Sequence, residues 1–162
     1  MLEKLDFMVR YWQLRARHGA LGAPLSRLEQ VELLSLLRLM STDTRLPDPG
    51  QIRRDDTGLP VQLTAPGGFI SGDLRLVCAD GLVVACARSL RPGQSCILRL
   101  ADAVSGVEYA VPCVVEWTHI GSPSAMALRV DGAPTRVSFS IPQPGMWRSP
   151  LGLTERPWSP AE

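Results

Sequence analysis

A chain of 162 residues with 45% hydrophobic and 20% charged side chains has a globular composition, enough for one domain with a sizeable core, and is neither disordered nor fibrous. Seventeen Lys and Arg against sixteen Asp and Glu give a formal net charge of +1, so no electrostatic drive toward nucleic acid or an anionic membrane is present. Lys4 is the only lysine, and this bias toward arginine reads as GC-rich codon usage rather than as chemistry.

The N-terminal stretch mixes Glu3, Lys4, Asp6 and Arg10 with apolar residues, so it is neither a signal peptide nor a membrane span, and a cytoplasmic location is expected. From Leu2 to about Arg17 the apolar positions Leu2, Leu5, Met8, Val9, Trp12 and Ala16 recur at three- and four-residue steps, which predicts an amphipathic helix. It should stop near His18 and Gly19, with the glycine in a left-handed position. His18 there reads as an exposed or dipole-stabilising group and not as a catalytic one. Ser26 and Glu29 then have the S-x-x-E spacing of a capping box, predicting a helix over about 27–40. Its apolar residues Leu28, Val31, Leu33, Leu34, Leu36, Leu37, Leu39 and Met40 lie nearly all round the axis. Such a helix needs cover on more than one side: the first helix supplies one, and the barrel or a second copy of the chain supplies the other.

Leu46, Pro47, Asp48, Pro49 and Gly50 mark a break, because two prolines and a glycine in five residues fit neither helix nor central strand. Residues 1–45 are thus expected as a helical hairpin extension and 46–58 as a linker. Within it Arg53 and Arg54 are the residue type of a phosphate clamp, although Asp55 and Asp56 directly behind them offer internal partners. Strands follow over 59–141. An alternating run covers 59–64, and the glycine-rich segment 65–72 reads as a loop. Two apolar arms, 74–78 and 82–86, meet at a corner marked by Asp80 and Gly81. Pro92 and Gly93 mark another turn before the alternating run 96–100. Val107, Tyr109, Val111, Cys113, Val115 and Trp117 then share one face of a long strand, in which Pro112 implies an edge or a bulge. Met126, Leu128 and Val130 face inward on the next strand, and Val137, Phe139 and Ile141 on the last. The four cysteines have no CxxC spacing and read as buried reduced thiols. The fold class is therefore mainly β with an α-helical N-terminal extension, a six- or seven-stranded antiparallel barrel, since closure removes exposed edges.

The order of features resembles the PilZ domain over about residues 51–132. The matching pieces are Arg53 and Arg54 in the N-terminal segment, Leu76, Cys78 and Gly81 at the spacing of a D/N-x-S-x-x-G corner, Leu90 to Gly93 before the next strand, Val114 to Trp117, and Ala127 to Val130. The two helices are similar to the extension on some myxobacterial members. The resemblance implies a PilZ-like barrel, and such domains typically bind cyclic di-GMP through an RxxxR segment and the polar corner residues. Here Thr57 and Gly58 stand where a second arginine is needed, Leu76 and Cys78 replace the D/N and Ser, and only Gly81 is kept. Losing a charge-assisted hydrogen bond costs about 1.5–3 kcal/mol, so three such losses weaken a micromolar complex by about three orders of magnitude.

No cofactor is therefore expected, with Arg53, Arg54 and Gly81 the residues that would serve any remnant or rearranged ligand site. Arg75, Arg88 and Arg91 are possible substitutes that the sequence does not position. No metal-ligand or catalytic spacing involves His18 or His119, so the chain reads as a non-enzyme. What remains is an adaptor acting through other proteins, or through a second copy of itself by way of the N-terminal helices, without membrane insertion. From the resemblance, its setting would be bacterial motility, pilus or polarity control. The candidate partner contacts are Trp12, Leu36 and Leu37 on the helices, and Trp147 and Trp158 in the proline-containing tail 142–162, where large aromatics can anchor in a partner groove.

Overall fold

The structure, a computed structural model, describes residues 1–20, 22, 24–40, 45–51 and 58–139. Two helices, α1 (Leu2–His18) and α2 (Arg27–Leu39), precede seven strands: β1 (Leu59–Ala65), β2 (Gly68–Val77), β3 (Gly81–Cys86), β4 (Ser95–Asp102), β5 (Val107–His119), β6 (Ser124–Val130) and β7 (Thr135–Ser138). All pairings are antiparallel, in the order β4-β1-β2-β3-β6-β5, and β4 also pairs with β5. Those six strands close into a barrel, which removes their free edges. β7 lies outside it, on the part of β5 that β6 does not reach.

Alternation explains which side chains fill the barrel. Val61 and Leu63 from β1, Leu98 and Leu100 from β4, Val107 through Val115 at every second residue of β5, and Met126 and Leu128 from β6 are all buried. The alternation of β5 ends at a bulge after Val115, where the register with β6 shifts. Trp117 is consequently half-buried, its indole N–H donating to the Pro47 carbonyl at 3.1 Å. Pro112 falls where β7 has ended and β6 is just beginning, its carbonyl accepting from the Asp131 amide at 2.9 Å. On that side of β5 a missing N–H breaks no ladder bond.

Three expectations are corrected. The glycine-rich segment is mostly strand: β1 and β2 form a hairpin around Pro66 and Gly67, with Gly68 at φ +119° taking the left-handed turn position. Val137 and Phe139 do not point inward but are 56% and 38% exposed, because β7 lies outside the closed barrel and has no interior face; Ile141 lies outside the described residues. Gly19 ends α1 with φ −78°, a right-handed value.

α1 is a lid on the barrel. Leu5, Met8, Val9, Trp12 and Leu14 are at most 1% exposed and belong to the same apolar cluster as the strand residues. Asp6 fixes its polar flank, accepting from the Tyr109 hydroxyl and the Arg136 Nε, both at 2.8 Å.

α2 begins with the full capping box, Ser26 and Glu29 each satisfying the other's backbone N–H. It is held to α1 by Arg17 with Glu29 and by Arg10 with Glu32 at 2.8 Å. Glu29 titrates below the usual carboxylate range because the Ser26 backbone N–H and then Arg17 bond its charged form; Glu32 does so because of Arg10. Depressed folded-state values mean stabilisation that is complete above about pH 5 and lost as the pH falls through them. The hairpin contacts are therefore expected to weaken below about pH 4, by a small amount because both ion pairs lie at the surface with their side chains partly open to solvent. A urea-unfolding series against pH should show this, and Glu29→Gln with Glu32→Gln should flatten it.

Candidate functional site

The corner between β2 and β3 is a tight hairpin whose loop is Ala79 and Asp80, one residue earlier than the Asp80 and Gly81 pair expected. Cys78 and Gly81 exchange backbone hydrogen bonds across it, at 2.9 and 3.2 Å. A bulge at Arg75 precedes it: Leu74 pairs with Val84, but Leu76 pairs with Val83. The extra residue reverses the alternation, so Val77 turns into the core at 2% exposure and Leu76 turns outward at 37%. Cys78 is buried at 2% exposure, its thiol donating weakly to the Gly81 carbonyl at 3.5 Å.

Gly81 serves the fold directly. A Cβ there would stand 1.9 Å from the Leu128 carbonyl oxygen, because β3 and β6 approach too closely at this point for any side chain. Its φ lies outside the left-handed region, so close approach and not turn conformation demands the glycine. Above the corner sits Trp12, whose indole N–H donates to the buried Ala79 carbonyl at 2.8 Å.

Toward the other end of the β2–β3 hairpin, around Gly72 and Cys86, an open cleft of about 1220 Å³ runs over the outer face of the barrel. Among the described residues its charged lining is Asp73, Arg75, Arg99 and Glu108, two of each sign. Arg99 pairs with Glu108 at 3.0 Å and Arg75 lies 3.8 Å from Asp73. These four offer an anion no surplus of positive charge. The Arg75 Nε is buried with no hydrogen-bond partner among the described residues. Gly58, just before β1, packs against Leu74, Asp73 and Arg75; Arg53 and Arg54 lie outside the described residues.

The remaining expected site residues separate clearly. Trp12 and Leu36, anticipated as partner contacts, are 1% and 7% exposed and belong to the core: the apolar stripe of α1 meets the barrel, and the inner stripe of α2 meets α1. Leu37 is 41% exposed. Trp147 and Trp158 lie outside the described residues. Arg88 and Arg91 are exposed and outside the cleft lining, whereas Arg75 is in it. Arg99 was not singled out from sequence, although its outward place in an alternating strand was readable; that it lines the same cleft as Arg75 depends on β4 pairing with β1.

Burial raises all four cysteine thiols, Cys96 to about 11 and Cys113 well above the ordinary value. They are protonated at neutral pH, the form least suited to nucleophilic attack or metal binding. Both histidines are exposed, and the described residues contain no cluster of three His, Cys, Asp or Glu suited to a metal. No described helix is long and apolar enough to cross a membrane.

Comparison with protein-family models finds no match, and comparison with curated proteins finds none. The class is therefore stated by architecture: a closed six-stranded antiparallel barrel with one outside strand, capped by the first of two N-terminal helices.

Proposed function

We propose that this chain is a PilZ-like, non-enzymatic regulatory adaptor that does not bind cyclic di-GMP and acts through protein–protein contacts. Bacterial motility, pilus or polarity control is the setting that the resemblance suggests. One observation carries the reading: the corner keeps the tight hairpin and the glycine that closes β3 on β6, while the two positions that would read a guanine hold an outward leucine and a buried thiol. A site that retains its backbone and loses its donors and acceptors has no differential interaction left for a polar ligand. The charge-neutral cleft supports the same reading, since a doubly anionic dinucleotide gains little there.

A second reading, a cyclic di-GMP receptor with a rearranged site, is favoured by the unpartnered Arg75 Nε beside the start of β1. Calorimetric titration of the full chain with cyclic di-GMP separates the two. The adaptor reading expects no saturable heat up to about 100 μM ligand. Saturable binding that disappears in Arg53→Ala with Arg54→Ala, or in Arg75→Ala, would establish the receptor instead.

A further inference from the structure

Two of the four buried cysteines stand opposite each other. In the register of β4 with β5, Cys96 is the cross-strand partner of Cys113, and both side chains are turned into the barrel at 5% and 2% exposure. Cys78 and Cys86 have no cysteine opposite them: Cys78 closes the β2–β3 corner on Gly81, and Cys86 pairs with Gly72 and Ser124. Directly opposed residues of antiparallel strands have Cα atoms about 4.5–5.5 Å apart, inside the roughly 4.4–6.8 Å that a disulfide spans. Burial raises the Cys113 thiol well above its ordinary value and the neighbouring Cys96 raises it further, as a second sulfur close by does. Both residues also line an open cavity of about 360 Å³, with Thr64, Ile97 and Pro112.

The position of the pair gives it a consequence. β4 meets β1 only from Ile97 to Arg99 but meets β5 along its whole length, from Ser95 to Asp102. The β4–β5 seam therefore holds the barrel closed.

We infer that Cys96 and Cys113 form a cross-strand disulfide when the chain folds under oxidising conditions, stapling the seam at which the barrel closes. The oxidant is a low-molecular-weight disulfide such as glutathione disulfide. One Sγ, as thiolate, attacks it; its S–S bond breaks, one glutathione thiolate leaves, and a mixed disulfide remains. The second Sγ attacks the protein sulfur of that mixed disulfide and releases the other glutathione. Two protein thiols lose their protons and two electrons, and one disulfide is reduced to two thiols.

Burial sets the timing. In the folded chain desolvation holds Cys96 up at about 11 and Cys113 well above its ordinary value, so little thiolate is present to react. During folding the same thiols are open to solvent and titrate normally. The redox state met while the strands assemble is thus retained afterwards.

Oxidative refolding of the full chain tests this, and its outcome does not depend on whether the corner binds a nucleotide. Reduced, urea-unfolded protein is refolded at about pH 8 in a mixture of glutathione and glutathione disulfide. Free thiols are then alkylated and the linkages mapped by mass spectrometry. The expected product links Cys96 to Cys113 and leaves Cys78 and Cys86 alkylated. The same mixture kept in urea should favour Cys78 with Cys86, the pair that closes the shortest loop, so a preference for the other pair has to come from the fold. The oxidised protein should melt about 5–10 °C above the reduced one, since the bond closes a loop of about 18 residues. Cys78→Ala with Cys86→Ala should keep both the linkage and the rise, and Cys96→Ala should lose both. Four free thiols or only glutathione adducts after refolding, the linkage pattern seen in urea, or an oxidised protein that melts no higher than the reduced one would each overturn the inference.

Discussion

Trp12→Ala is expected to destabilise the protein by about 3–5 kcal/mol, a large fraction of the 5–15 kcal/mol that holds a typical domain. The indole is 1% exposed and fills the space between α1 and the β2–β3 corner. Its loss leaves a cavity and strips the buried Ala79 carbonyl of its donor. Trp12→Phe separates the two effects: most of the volume stays while the N–H goes, and a loss of about 1–3 kcal/mol should follow. Urea unfolding measures both, with the denaturant slope unchanged if the transition remains two-state. Phe7→Ala, on the same helix but 56% exposed, should shift stability by no more than about 0.5 kcal/mol. A Trp12→Ala variant as stable as Phe7→Ala would mean that α1 does not cap the barrel.

The second large effect is at Gly81. Alanine there places a methyl carbon 1.9 Å from the Leu128 oxygen, and the atom in the way is backbone in a paired strand. Relief requires β3 and β6 to separate between Leu82 and Leu128, opening the seam beneath the corner. The cost should reach or exceed the upper end of the usual 1–3 kcal/mol for overpacking. Gly67→Ala is the control, since a Cβ at Gly67 meets nothing within 4 Å, and it should be within about 0.5 kcal/mol of wild type. Equal melting temperatures for the two variants would contradict the close-approach explanation. The point bears on function, because a glycine required by the fold persists at the corner whether or not a ligand is read there.

The local elements were legible because their signals are local. Period and capping located α1 and α2 to within a residue or two, and alternation assigned the faces of β4, β5 as far as Val115, and β6. Two kinds of information were not legible. Bulges shift the alternation without any mark in composition: nothing around Arg75 or Glu116 announces that Leu76 turns outward or that Trp117 leaves the core. Long-range pairing decided the rest. β7 has no inward face because β4 closes the barrel on β5, and Trp12 is a core residue because α1 lies over the corner at a sequence separation of 67. Arg75 and Arg99 line the same cleft through the pairing of β1 with both β2 and β4.

The same packing limits which variants can inform on function. Deleting residues 1–45 would remove Leu5, Met8, Trp12 and Leu14 from the common core, so a loss of partner binding in that truncation would report unfolding. Surface substitutions on α2 avoid the problem.

The proposed loss of ligand chemistry is tested most directly by the melting temperature of the full chain with and without cyclic di-GMP. A melt responds to binding at any position, including one that uses Arg53 and Arg54, and requires no binding heat. A receptor with micromolar affinity would gain about 4 kcal/mol at a ligand concentration a thousand times its dissociation constant, a rise on the order of 10 °C. The account predicts no shift at about 1 mM nucleotide. A rise of several degrees, absent with GMP at the same concentration, would contradict it.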